Sequence, residues 1–138
     1  MDYIKISQET IGHLYKAHTS VRKSEIDIKL LALTDLRVSQ LNGCAYCCSF
    51  HSNELREFGI EQSVLDKLSG WKLSDSFDEK EKLALEWAEA ITKMETDLTA
   101  IRKRLEIVFT EKELVDLTAS ISIMNTLNRL RITLGDNH

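Results

Sequence analysis

Apolar residues recur at three- and four-residue intervals along almost the whole chain, the period of helices with one buried face. Ile11, Leu14, Tyr15 and Ala17 form the first stripe, on a helix capped by Ser7 and running to about Thr19. Ser24 with Asp27 reads as a capping box opening a second helix, Glu25 to about Leu41, with Ile26, Leu30, Leu33 and Leu36 on a broad apolar face. Asn42-Gly43 is a turn signal, and the pattern becomes helical again from Cys44 to Phe58. Glu61 to Leu68 predicts a short helix, and Trp71 to Phe77 a loop whose aromatics pack on the core.

Asp78 with Glu81 caps a helix to about Thr92, carrying Leu83, Leu85, Trp87, Ala88 and Ile91. A short helix from Thr99 to Phe109 follows. Thr110 with Glu113 then starts the longest one, to Leu134, closed by Gly135, with Leu114, Leu117, Ile121, Met124 and Leu127 as its stripe. Asn125, Asn128 and Arg129 interrupt that stripe; if buried they need partners, in a neighbouring helix or across a subunit interface. No strand pattern, repeat or linker is present. The expectation is one all-α domain, residues 1–138, of six to seven helices.

Composition narrows the function. At 138 residues, 43% hydrophobic and 29% charged, the chain reads as a single globular domain. A net charge of -4 argues against nucleic acid, and no apolar run is long enough to span a bilayer. The opening residues carry no signal-peptide pattern, so the expected location is cytoplasmic. There is no proline, which allows long helices and weighs against a thioredoxin fold, whose C-x-x-C lies beside a cis-proline.

The chemistry is concentrated in one stretch. All three cysteines, Cys44, Cys47 and Cys48, lie within five residues, and His51 follows. Clustered thiols in a reducing compartment point to redox or metal chemistry. Cys44 falls at a helix N-terminus, where unpaired N–H groups and the helix dipole favour a thiolate. Cys47 is three residues on, close enough for a modest distortion of the first turn to join the pair. His51 is one turn beyond Cys47 and able to accept its thiol proton or to stabilise the thiolate. Cys48, four residues after Cys44, is either a competing disulfide partner or a buried small hydrophobe. His13 and His18 are expected on solvated faces; Trp71 and Trp87 are expected in the core or at a subunit interface.

The run Leu36-Arg37-Val38-Ser39-Gln40-Leu41-Asn42-Gly43-Cys44-Ala45-Tyr46-Cys47, followed by His51, resembles the carboxymuconolactone decarboxylase / alkyl hydroperoxidase D-like family. The likeness continues through Glu79 to Thr92 and from Phe109 to Leu130. It implies an all-α fold with a central antiparallel helix pair, an obligate homo-oligomer (commonly a trimer or hexamer), and thiol peroxidase activity where both cysteines are kept. It also implies a peroxide substrate and an external dithiol reductant of the lipoyl type, with no tightly bound cofactor. By the same resemblance Cys47 matches the peroxidatic cysteine, Cys44 the resolving one and His51 the relay histidine. The helix dipole alone points to Cys44, so the resemblance decides between the two thiols. The decarboxylase namesakes lack the cysteine pair, which argues against that activity here.

One position departs from the pattern. The family's relay glutamate lies twelve residues before the first cysteine, where this chain has Ala32. Asp35, one turn on, is the nearest acid on the same predicted helix and Glu25 lies two turns back; the alternatives are a water or a carboxylate from another helix. Three functions follow: a dithiol-dependent peroxidase or disulfide reductase, a redox sensor or scaffold without turnover, and a metal module built on Cys44, Cys47, Cys48 and His51. The last is disfavoured because one helix cannot wrap four ligands around a tetrahedral ion.

Overall fold

The computed structural model describes residues 1–138. It contains helices and connecting turns and no strand. The helices are α1 (Tyr3–Ile6), α2 (Gln8–Arg22), α3 (Ile28–Asn42), α4 (Ala45–Glu57), α5 (Gln62–Leu65), a 3-10 helix (Leu68–Leu73), α6 (Glu79–Thr92), α7 (Thr99–Val108) and α8 (Glu111–Leu134).

The centre is α3, buried at every position from Leu30 to Leu36 and again at Val38 and Ser39. A helix that is apolar around most of its circumference has to be surrounded, and α3 packs against α4, α6 and α8. It separates two apolar clusters. One joins Leu31 and Val38 to Trp87, Leu105, Leu117 and Ile121. The other joins Ala32, Leu33 and Leu36 to Leu55, Leu68, Trp71 and Leu85.

The pairing of α3 with α8 is antiparallel, as its polar register shows. Asn128 Nδ2 donates to Ser39 Oγ (3.1 Å), while Asn42, nearly a turn later on α3, donates to Asn125 Oδ1 (3.0 Å), nearly a turn earlier on α8. Asn42 Nδ2 also donates to Asn128 Oδ1 at 3.1 Å. The polar breaks in the α8 stripe are thus satisfied within the chain, between helices, and Arg129 is exposed.

Both expected capping boxes on α6 and α8 form, Asp78 with Glu81 and Thr110 with Glu113. The box expected at Ser24 does not. Asp27 is itself the N-cap of α3, its side chain accepting from the Lys29 N–H at 2.9 Å, and the helix starts at Ile28 rather than at Glu25. Ile26 is buried in the first cluster from this non-helical segment, so the core is filled by the approach to the helix and not by its first turn.

Three further differences are local. A helical turn, Tyr3–Ile6, precedes α2, and α2 continues to Arg22, three residues past Thr19, carrying that arginine into the interior. The loop expected from Trp71 to Phe77 begins inside a 3-10 helix, Leu68–Leu73, in which Leu68 and Trp71 are both buried; Ser74 to Phe77 is non-helical, with Phe77 packed in the second cluster. The helical turn α1 and the 3-10 helix are the two elements beyond the expected seven, since α5 lies within the short helix expected from Glu61 to Leu68. Trp71 and Trp87 are buried, with Nε1 groups donating to Glu89 Oε1 and Thr118 Oγ1, both at 2.9 Å. No helix is long and apolar enough to cross a membrane.

Candidate active site

The turn that positions the thiols is set by Gly43. Its φ of 72° is left-handed, a conformation glycine adopts at no steric cost. The Gly43 N–H bonds Gln40 O (3.2 Å) and the Cys44 N–H bonds Ser39 O (3.0 Å), a Schellman arrangement that ends α3. The chain then leaves extended at Cys44, which is the N-cap of α4; its Sγ accepts from the Cys47 N–H at 3.3 Å.

Cys44 and Cys47 form a disulfide with their Cα atoms 5.2 Å apart. The two sulfurs differ in access. Cys44 is 1% exposed, whereas Cys47 is 8% exposed and lines a cavity of about 360 Å³ between α2, α4 and α8. Cys48 is the free thiol. It points to the other side of α4, against the second apolar cluster, and burial pushes its thiol pKa up. It is therefore placed as packing and not in the cavity.

His51 is buried and lines the same cavity one turn after Cys47. Its Nδ1 lies 3.1 Å from Glu54 Oε1. Burial alone would raise the Glu54 pKa, but hydrogen bonds from His51 and Arg22, with the charge of both, outweigh it and bring the group down to about 2. An ionised carboxylate only accepts, so the hydrogen at Nδ1 belongs to His51, and Nε2 is left as the basic atom.

Behind this pair lies a second tier. Arg22 donates to Glu54 through both terminal nitrogens (2.9 and 3.0 Å) and to Asp35 Oδ2 at 2.7 Å. Burial opposes the Arg22 charge, and its bonds to Glu54 and Asp35 overcome that and hold it protonated. Asp35 is fully buried; burial raises its carboxyl pKa against the opposing charges of His51 and Arg22. Its Oδ1, Arg22 Nε and His18 Nδ1 have no hydrogen-bond partner.

Of the two acids weighed for the Ala32 position, the structure brings Asp35 to the histidine's network and leaves Glu25 out. Glu25 is exposed in the segment before α3. Ala32 itself is buried among the apolar side chains of the second cluster. His13 is exposed, but His18 is not on a solvated face: it is half-buried and lines the cavity with Cys47 and His51. Burial pushes its pKa down and favours the neutral ring. Its place on α2 between Ile11 and Val21, the buried positions of that helix, turns it toward α4 and α8 rather than outward.

Glu54, Arg22 and His18 are thus the site residues the sequence reading did not single out. Glu54 alone had a signal, its three-residue spacing from His51 on one helix. No group of three or more histidine, cysteine or acidic side chains is arranged to hold a metal ion. A larger groove of about 530 Å³ between α6 and α7 contains no thiol.

The chain and its fold have counterparts among known proteins. The uncharacterised protein YdfG of Bacillus subtilis is 29% identical over 138 residues, covering 99% of this chain and 94% of the relative. The crystal structure of a protein of unknown function from Agrobacterium tumefaciens, described as a candidate antioxidant defence protein AhpD, superposes with a TM-score of 0.92 at 29% identity, covering 100% of this chain and 96% of the other. An uncharacterised peroxidase-related protein from Ralstonia eutropha, described as an alkylhydroperoxidase AhpD core, shares the fold with a TM-score of 0.82 at 17% identity, over 98% of this chain and 73% of its own. The family model for carboxymuconolactone decarboxylases matches residues 7–90, a span that runs from the N-cap of α2 through both cysteines and His51 into α6, and the chain belongs to that family, with the AhpD-like all-α fold.

Proposed function

We propose that the protein is a dithiol-dependent peroxidase acting on organic hydroperoxides, in antioxidant defence. The observation that carries this reading is the juxtaposition of Cys47, at the cavity, with a buried His51 whose Nδ1 meets an ionised Glu54. His51 takes the Cys47 thiol proton at Nε2, and the Glu54 charge stabilises the resulting imidazolium. The thiolate attacks one peroxide oxygen; the S–O bond forms as the O–O bond breaks, leaving a Cys47 sulfenic acid and an alkoxide that takes the proton back from His51. The Cys44 thiol then displaces hydroxide from that sulfur, giving the Cys44–Cys47 disulfide and water. An external dithiol, of the lipoyl type in the family resemblance, returns both thiols by exchange and leaves as its own disulfide.

Glu54, with Arg22 and Asp35 behind it, does the work assigned elsewhere in the family to the glutamate absent at Ala32. This favours a working relay over the sensor or scaffold reading, which rests on that absence alone. The metal-module reading lacks a ligand cluster. A reducing cytoplasm suits a thiol cycle of this kind, and the family resemblance implies a homo-oligomer.

The test is peroxide consumption with dihydrolipoamide as donor. Turnover that disappears in Cys47→Ser is the expected result. Disulfide formation without turnover with any dithiol would sink the reading and favour a sensor.

A further inference from the structure

We propose that the cavity over Cys47 takes a hydroperoxide with an apolar body and a carboxylate, and that Arg131 pairs with that carboxylate. The inference rests on the peroxidase reading for its chemistry but on separate residues for its specificity.

At about 360 Å³ the cavity lies within the usual range for small organic ligands, about 300–1,000 Å³, and far exceeds the need of hydrogen peroxide. Tyr15, Tyr46, Phe50, Met124 and Leu127 make most of its wall apolar. Besides the tyrosine hydroxyls, its polar groups are Cys47 and His51 of the proposed chemistry, His18, and one permanent cation, Arg131.

Arg131 is held but not neutralised. Its guanidinium lies 4.1 Å from the centroid of the Tyr46 ring and 5.8 Å from that of Tyr3. Arg22, Arg37, Arg102 and Arg104 each pair with a carboxylate, and Arg131 pairs with none. Stacking on two rings restricts a flexible side chain in advance and leaves its N–H fork free, the arrangement that suits bidentate recognition of a carboxylate. Tyr46 is next but one to Cys44 and adjacent to Cys47 in sequence, so the cation is tied to the first turn of the redox helix. With the carboxylate on Arg131 and the apolar body on Phe50, Met124 and Leu127, the hydroperoxide end is left for Cys47. The carboxylate itself is unchanged by the reaction, in which Cys47 gains one oxygen and the organic product leaves as the alcohol.

The test compares linoleic acid hydroperoxide with its methyl ester, which keeps the carbon skeleton and removes the charge. Wild type is expected to favour the acid in kcat/KM by about ten- to a hundredfold, the size of a charge-assisted hydrogen bond. Arg131→Gln should lose that preference while retaining the rate with the ester, and Arg131→Lys should restore part of it. Equal use of acid and ester by wild type overturns the assignment and leaves the peroxidase reading standing. If no peroxide is consumed, calorimetric titration with decanoate and with methyl decanoate decides instead. Tighter binding of decanoate, lost in Arg131→Gln but kept in part by Arg131→Lys, supports the anion site; equal binding overturns it. Thermal melting of each variant separates loss of the charge from loss of the fold.

Discussion

His51 and Glu54 lie three residues apart on α4, with Nδ1 of the one 3.1 Å from Oε1 of the other. The proposed relay acid therefore comes from the same helix as the cysteines, and its geometry is fixed by helix spacing rather than by the packing of a second element. What a second element supplies is charge: Arg22, from α2, holds Glu54 ionised and joins it to Asp35 on α3. The family position at Ala32 is left free to be core.

Glu54→Gln keeps the shape of the side chain and removes the charge that supports a His51 imidazolium. Its expected effect is a loss of about ten- to a hundredfold in kcat/KM, at the lower end of what a positioned acid–base group contributes or just below it. Arg22→Met should do more damage to the fold than to the chemistry, because it leaves the fully buried Asp35 without its cation, a loss of about 3–5 kcal/mol. Asp35→Asn should cost less, since burial already favours the neutral form of that group. Urea unfolding of the three variants beside their steady-state rates separates these effects. Equal stability losses with unchanged rates for Glu54→Gln would remove it from the mechanism.

Cys44→Ser should stop the cycle at the sulfenic acid. Serine is a strong N-cap, so the first turn of α4 survives the change. Cys48 should not stand in as resolving thiol, because it faces the second apolar cluster. After one equivalent of peroxide, mass spectrometry with dimedone should find Cys47 labelled in Cys44→Ser. A Cys47–Cys48 disulfide in that variant would contradict the placement of Cys48. Cys48→Ser should leave turnover within about twofold of wild type, as expected for a side chain outside the chemistry.

The helices, both true capping boxes and the thiol motif were legible because each is local: period, cap spacing and turn chemistry all lie within a few residues. The false capping box at Ser24 shows the limit. Ser24 and Asp27 are both good caps; Asp27 is the one used, and Ile26 enters the first core cluster from the non-helical segment between them. His18 and Arg22 were illegible for another reason. Nothing on α2 marks them, since a histidine and an arginine on an amphipathic helix ordinarily face water, and their role exists only once α2 is laid against α3 and α4. Glu54 is legible in principle from its spacing to His51, but the family pattern places the relay acid on α3.

The Glu54 carboxyl also makes a pH prediction. Its pKa falls from 4.5 to about 2 on folding. A depressed carboxyl stabilises the native state while it is ionised, so the contribution is complete above about pH 4.5 and is lost as pH falls towards 2. Wild type should therefore exceed Glu54→Gln in stability at pH 7, with the gap closing between pH 4.5 and 2.5 in urea titrations. His18 acts in the same sense over a different range. Its pKa is lowered by burial, so native stability is lost as pH drops below the unfolded value near 6.5, and His18→Gln should flatten that part of the profile. A parallel pH dependence in wild type and both variants would contradict these assignments.

Restoring the family glutamate makes the sharpest separation between motif and structure. If the relay of this chain were simply incomplete, Ala32→Glu should raise peroxidase turnover. The structure leads to the opposite expectation. Ala32 is fully buried on α3 in one apolar cluster with Leu33, Leu36, Leu55 and Leu85, and the proposed relay acid comes from α4. A glutamate there must either bury an unpaired charge or overfill a packed cluster, each a large perturbation, of about 1–3 kcal/mol for overpacking alone. The expected variant melts earlier than wild type by several degrees, about 2–4 °C for each kcal/mol lost in a domain of this size, and gains no activity. A variant that is both stable and faster would mean that the α4 acid is a bystander and that the α3 position is the relay site after all.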